Sequence, residues 1–94
     1  MASIYPKWKD RFVVPSLSAY RELGHLGLDL HDVVKILEHG VDCPIDKRKK
    51  GTFEKCMGFG KKYIKVVVVE DWSVSMEEYV WLIIHAGTTK LRRK

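Results

Sequence analysis

The run YIKVVVVE, residues 63–70, constrains the fold of this chain more than any other segment. Five of its eight residues are β-branched, and such side chains favour extended backbone and pack well on a pleated surface. A nearly continuous apolar strand is typical of a sheet interior that is covered on both faces. Two further strands are predicted beside it, 52–57 before a turn at 58–61 and 79–86 after a connection at 71–76. The second half of the chain therefore predicts a meander of strands centred on 63–70.

Two helices are predicted before these strands. Ser16 can cap a first helix that Gly24 would end, since Leu17, Tyr20 and Leu23 recur on one side. Asp29 can cap a second helix over 30–39, in which Asp32 occupies the N3 position and Leu28 can contact Val33. The helical spacing of the second helix comes from Leu30, Val33, Val34 and Leu37, and Gly40 is predicted to be left-handed after its end.

The chain of 94 residues has the size of one small domain. Residues 1–15 are predicted to form an N-terminal arm or short edge strand, and residues 88–94 a basic tail. Because helices precede neighbouring strands joined by short loops, we expect an α+β fold with N-terminal helices packed on a small antiparallel β-sheet meander.

Charge is distributed unevenly along the chain. Seventeen Lys and Arg against twelve Asp and Glu give a formal charge of +5, which favours polyanionic partners. Residues 41–65 contain eight bases and three acids, whereas residues 66–80 contain four acids and no base. One end of the sheet should thus be basic and another acidic. The candidate RNA-binding residues are Arg48, Lys49, Lys50, Lys61, Lys62, Lys65, Lys90, Arg92 and Arg93.

The alternative for these lysines is that their ammonium groups lie in water at the strand ends and keep the sheet soluble. Strand alternation places Lys55 with Phe53, and Lys65 with Tyr63, on sheet faces where bases could stack between cations. His85 could act as a general acid or base beside Tyr63 or a lysine. The catalytic candidates are therefore His85, Lys55 and Tyr63. A partly buried His85 bonded to the backbone is the competing interpretation, and Tyr79 and Trp81 are predicted in the core.

Two cysteines, Cys43 and Cys56, are too few for a disulfide-rich secreted domain. We expect reduced thiols, although one bridge between them is compatible with the sequence. Histidines 25, 31 and 39 and the cysteines lack the spacing of a zinc site, so no metal and no cofactor are expected. The N-terminus lacks the apolar core of a signal peptide and the apolar runs have strand length, which predicts a cytoplasmic chain with no membrane segment.

Three stretches of the sequence resemble the small toxin-like proteins of the RelE superfamily, and BrnT-type toxins in particular. They are DVVKILEHG at 32–40, GTFEKCMGFGKKYIKVVVVE at 51–70 and VWLIIHAGTTKLRRK at 80–94. The resemblance implies N-terminal helices against an antiparallel sheet, and cleavage of RNA by attack of a ribose 2′-hydroxyl on its own phosphate without a metal. It assigns phosphate stabilisation to Lys55, Lys65 and Arg48, and proton transfer to His85 or Tyr63. Gly87 stands where BrnT-like members tend to have an arginine, a departure that argues against cleavage and leaves RNA binding open.

The function expected from the sequence is that of a RelE-like domain that binds RNA or cleaves it as a metal-independent endoribonuclease toxin. The alternative is a non-catalytic interaction module. Its exposed strand edge and basic face would then contact an acidic, antitoxin-like protein or a second copy of the chain.

Overall fold

The described part of the chain folds into two helices and six strands. The computed structural model describes residues 5–42, 51–59 and 61–89, and only the backbone of Phe59. The helices are α1 (Leu17–Leu26) and α2 (Leu30–His39). The strands are β1 (Lys7–Trp8), β2 (Arg11–Pro15), β3 (Val41–Asp42), β4 (Thr52–Phe59), β5 (Lys62–Ser73) and β6 (Glu78–Thr89). The α+β class predicted from the sequence is confirmed.

The sheet has the order β1-β2-β6-β5-β4-β3. All neighbouring strands are antiparallel except β2 and β6, which are parallel with Val13 opposite Trp81. The expectation of helices followed by a purely antiparallel meander is therefore wrong, because β1 and β2 precede the helices. The N-terminal segment 1–15, predicted as an arm or short edge strand, contains the edge strand β1 and the interior strand β2. The pairing of β2 spans 68 residues of sequence, so local patterns could not reveal it.

β5 is buried on both faces at its centre, as its sequence predicts. Val66, Val67 and Val68 are each exposed by 1% or less. Val66 and Val68 belong to the core cluster beneath the helices, whereas Val67 points to the opposite face. The core is completed from the helices and β6, mainly by Ala19, Leu23, Val33, Ile36, Leu37, Ile83 and Ala86.

Both predicted helices are present with their predicted N-caps. The Ser16 hydroxyl accepts from Ala19 N at 3.1 Å, and Asp29 and Asp32 bond each other's backbone N–H groups at 2.9 and 3.0 Å in a capping box. The prediction that Gly24 ends α1 is wrong. The helix continues to Leu26 and ends at Gly27, whose φ of 73° is the left-handed conformation that glycine adopts without steric cost.

Gly40 is required for space and not for a left-handed turn. Its φ of −75° and ψ of 175° are extended, so the predicted left-handed conformation is wrong. The chain passes directly from α2 into β3. A Cβ on residue 40 would lie 2.5 Å from the Ile36 carbonyl oxygen and 2.6 Å from that of Cys56. Only glycine therefore allows α2 to approach β4 this closely.

The strands are longer than predicted around the β5–β6 hairpin. β5 continues through Ser73, and residues 74–77 form the turn, in which Glu77 N donates to the Ser73 carbonyl at 2.7 Å. The segment 71–76 predicted as a connection is therefore mostly strand and turn. β4 extends to Phe59, two residues beyond its prediction, and β6 extends to Thr89.

Two adjacent isoleucines of β6 allow a matched test of this core. Ile83 is fully buried, whereas Ile84 is 41% exposed. We expect Ile83→Ala to lower the free energy of unfolding by about 2–5 kcal/mol, because it removes packed methyl groups and leaves a cavity. Ile84→Ala should change it by no more than about 0.5 kcal/mol. Urea unfolding measures both, and equal losses would contradict the assigned sides of β6.

The capping box predicts a specific acid dependence of stability. The backbone N–H of Asp32 lowers the pKa of Asp29 below its ordinary value of 3.8. Because the lowered value belongs to the folded state, this stabilisation is complete above the unfolded-state pKa and is lost as pH falls through the folded-state pKa. The stability difference between the wild type and Asp29→Asn should therefore shrink as pH is lowered from 5 to 2.

Ser16→Ala is the control for this acid dependence, because it removes a cap that does not titrate. Its cost of about 1 kcal/mol should stay constant over the same pH range. Urea midpoints at each pH give both differences. A pH-independent difference for Asp29→Asn would show that its carboxylate charge does not contribute.

Candidate nucleic-acid interface

His85 lies beside a β-bulge in β6. Val67 of β5 pairs with His85 and Val68 pairs with Ile83, so Ile84 is an extra residue in the ladder. β2 stops pairing with β6 at the same level, where Pro15 faces Ile83. The edge of β6 beyond the bulge is thus left without a neighbouring strand among the described residues.

α1 packs along β6 beyond that point and provides a carboxylate in place of a strand. Glu22 Oε1 accepts from Ala86 N at 2.9 Å and lies 3.3 Å from His85 Nδ1. The His85 side chain is 45% exposed. Glu22 therefore holds His85 at the sheet edge. The competing prediction from the sequence, that His85 is hydrogen-bonded to the backbone, does not describe this contact.

Lys55 and Lys65 lie on opposite faces of the sheet. Lys55 pairs with Val66 on the helix-covered face, and its ammonium lies 2.8 Å from Asp42 Oδ1. Lys65 lies on the other face, where its ammonium is 3.3 Å from Glu54 Oε2. The Glu54 side chain is only 5% exposed, so the Lys65 charge compensates a nearly buried carboxylate. Both lysines have internal partners.

The three catalytic candidates are not brought together. Tyr63 pairs with Thr89 and His85 with Val67, which separates Tyr63 from His85 by four residues along the ladder, or about 13 Å. Lys55 lies on the other face. A general acid or base must come within hydrogen-bond reach of the proton it moves. A joint role of His85, Lys55 and Tyr63 in one reaction stays a prediction that this arrangement does not favour.

Of the predicted RNA-binding residues, Lys61 and Lys62 are exposed at the turn between β4 and β5. Neither has an ion-pair partner among the described residues, in contrast to Lys65. The remaining candidates lie outside the described residues: Arg48, Lys49, Lys50, Lys90, Arg92 and Arg93.

The two basic runs of the sequence join the described chain at opposite ends of β5. Run 47–50 precedes Gly51, whose carbonyl accepts from Glu70 N at 2.9 Å. Run 90–94 follows Thr89, which is paired with Tyr63. Tyr63 and Glu70 are separated by seven residues of strand, or about 23 Å. The two points of attachment therefore do not lie on one continuous sheet edge.

The excess positive charge of the chain comes from these runs. The described residues contain nine Lys and Arg and eleven Asp and Glu, and the other eight bases belong to 47–50 and 90–94.

Sequence reasoning found the cations but not the carboxylates that neutralise two of them, Lys55 and Lys65. Asp42 and Glu54 are short-range sheet neighbours, whereas Glu22 reaches β6 across more than sixty residues. No local sequence signal identifies such partners.

Gly87, which stands where the resemblance expects an arginine, lies close to His85. A Cβ on residue 87 would lie 3.3 Å from His85 Nε2. A larger residue there would require the imidazole to move by a few tenths of an ångström. The glycine thus belongs to the packing that holds His85 beside Glu22.

The thiols and histidines form no metal site in the part of the chain that the structure describes. Cys56 is buried and disulfide-bonded, so the expectation of reduced thiols is wrong for this residue. Cys43, the other cysteine of the sequence, lies outside the described residues.

Comparisons of the chain with protein-family models, curated proteins and solved structures find no match. Within the described ranges, neither helix has the length and apolar character needed to span a bilayer. The resemblance to RelE-type toxins and the RNA partner therefore stay predictions.

The Glu22 contact can be tested through the edge amide that it covers. Glu22→Ala should lower the free energy of unfolding by about 1–2 kcal/mol, because the Ala86 N–H loses its acceptor. Glu22→Gln keeps an oxygen at that position and should lose less than half as much. Hydrogen exchange of the Ala86 amide should accelerate in Glu22→Ala only. Glu38→Ala, an exposed glutamate of α2, is the control, and exchange equal to wild type in Glu22→Ala would contradict the contact.

Proposed function

We propose that this chain is a RelE-like domain that binds RNA without cleaving it. The binding surface is the basic end of the sheet, which we define as Lys61, Lys62 and Tyr63. The candidates Lys90, Arg92 and Arg93 follow Thr89 in the sequence, outside the described residues. The observation that supports the proposal is the exposure of Lys61 and Lys62 without ion-pair partners among the described residues, at the end where β6 leads into the run 90–94.

Free cations are the property that phosphate binding requires. A lysine that already compensates a carboxylate contributes little net attraction to a phosphate, whereas an unpaired exposed lysine releases counterions when RNA binds. Lys61 and Lys62 have this property, and Lys55 and Lys65 do not. Tyr63 follows Lys62 in β5, so its half-buried ring lies on the opposite face of the strand, where it can stack on a base. The basic end thus combines backbone attraction with a site for a base.

The separation of the catalytic candidates favours binding over cleavage. Transesterification needs a base, an acid and cations around one phosphate. Here His85 is held by Glu22, and Lys55 is paired with Asp42 on the other sheet face. Bound RNA should therefore be released intact.

A cytoplasmic location is part of the proposal, since cytoplasm supplies the RNA. The thiol pool of that compartment would act on the disulfide of Cys56. The basic end does not include Cys56, so we expect RNA binding to persist in the presence of a reductant.

RNA binding is tested by fluorescence anisotropy with a labelled single-stranded 12-nucleotide RNA of mixed sequence over a series of salt concentrations. The variant Lys61→Gln with Lys62→Gln should bind about five to ten times more weakly at low salt. Its slope of log K against log salt should be shallower by about 1.4, since each phosphate contact in single strands contributes about 0.7.

Lys9→Gln with Lys35→Gln removes two exposed lysines elsewhere and is the matched control, expected to bind like the wild type apart from a small general charge effect. Equal losses in both variants would refute the assigned surface. Cleavage products that disappear in His85→Ala would refute binding without cleavage. An absence of salt-dependent binding would refute the RNA proposal itself.

A further inference from the structure

The β5–β6 hairpin projects beyond the strands on either side of it. β4 makes its last pair with β5 at Val69, and β2 makes its first pair with β6 at Trp81. Residues 71–80, which we call the arm, therefore form two strands and a turn without a further strand on either side among the described residues. The arm lies at the opposite end of β5 from the basic end.

One face of the arm presents two exposed aromatic side chains. Trp72 and Tyr79 are directly paired across the strands, with ring centroids 5.1 Å apart in an edge-to-face arrangement. They are 49% and 50% exposed, which corrects the prediction that Tyr79 lies in the core. Val74 in the turn is almost fully exposed. The pair stabilises the arm, but half of each side chain remains in water, as on surfaces that contact a partner.

The arm is acidic. Asp71, Glu77 and Glu78 have no ion-pair partner among the described residues, and residues 66–80 contain no Lys or Arg. This charge repels phosphate, so the exposed rings do not suit a nucleic acid. It attracts a cationic partner, and the aromatic rings attract a cation further.

A guanidinium of this chain already occupies such a position next to the arm. Arg11 forms an ion pair with Glu70, and its guanidinium carbon lies 5.6 Å from the centroid of the Tyr79 ring and 5.2 Å from that of Trp81. Tyr79 therefore has the Arg11 guanidinium on one side and Trp72, its partner across the strands, on the other. Strand alternation puts Glu70 on the same face as Trp72 and Tyr79, whereas Asp71 and Glu78 lie on the opposite face of the arm.

We propose that the arm is a docking surface for a basic, arginine-rich segment of a partner protein. Guanidinium groups of that segment stack on Trp72 and Tyr79. The carboxylates of Glu77 in the turn, and of Asp71 and Glu78 on the opposite face, attract the same segment by their charge. The exposed Trp72–Tyr79 pair and the three carboxylates of the arm that lack an ion-pair partner among the described residues carry this inference. It does not depend on RNA binding at the basic end.

The probe is a fluorescein-labelled hepta-arginine peptide, titrated with the full chain and followed by anisotropy. The chain has a net charge of +5, so overall attraction does not produce binding of this peptide. Trp72→Ala with Tyr79→Ala should raise the Kd at least tenfold. The exposed pair on α1, changed as Leu17→Ala with Tyr20→Ala, is the matched control and should leave the Kd unchanged.

A second variant tests the charge and does not depend on the aromatic pair. Asp71→Asn with Glu77→Gln and Glu78→Gln should also raise the Kd at least tenfold and should leave the fold unchanged, because all three side chains are exposed. Peptide binding should also shift the fluorescence of Trp72, which is the accessible indole because Trp8 and Trp81 are 5% and 6% exposed. Unchanged affinity in this charge variant would overturn the proposal.

Other occupants give different results. If the aromatic variant weakens binding of the 12-nucleotide RNA as much as that of the peptide, the arm belongs to a nucleic-acid surface and the proposal is overturned. If light scattering shows self-association that the aromatic variant abolishes, while hepta-arginine does not bind, the arm contacts a second copy and the proposal is again overturned. Failure of the RNA experiment with intact peptide binding refutes only the function proposed for the basic end.

Discussion

Burial of β5 on both faces is the constraint on which the rest of the structure depends. A strand whose central valines are buried on both faces needs strands on both sides and cover over each face, and helices form the layer on one face of this sheet. β4 and β6 provide the strands, and α1 and α2 provide the layer. Once β5 is fixed in this way, its two ends are the places where polar residues can gather. The basic end and the acidic arm follow from the length of this one strand.

The parts of the fold that local patterns determine could be predicted from the sequence. The β-branched run gives β5, and Asp29 with Asp32 gives the start of α2, because both depend on residues within a few positions of each other. The parallel pairing of β2 with β6 could not be predicted in this way. It joins residues that are far apart in the sequence, as does the nearby contact in which the Trp81 indole N–H donates to the Trp8 carbonyl of β1 at 2.9 Å.

The candidate site shows the same division. Cations, aromatic residues and His85 are visible in the sequence as residue types, but whether a lysine is free depends on its neighbours in space. Lys55 and Lys61 look alike in the sequence, yet one faces Asp42 and the other has no described partner. Strand alternation alone does not tell that Lys55 and Lys65 lie on opposite faces; this follows from the register in which β4 pairs with β5. A count of basic residues therefore overestimates the charge that a ligand meets.

Separation of charge along one long strand also limits which ligands the molecule can hold together. Tyr63 and Trp72 are nine residues apart on β5, about 30 Å, which is beyond the Debye length of about 8 Å at physiological ionic strength. The carboxylates of the arm therefore do not weaken attraction of phosphate at the basic end. Within a shorter sheet the same residues would neutralise each other. The length of the β5–β6 hairpin thus keeps the two proposed binding surfaces electrostatically independent of each other.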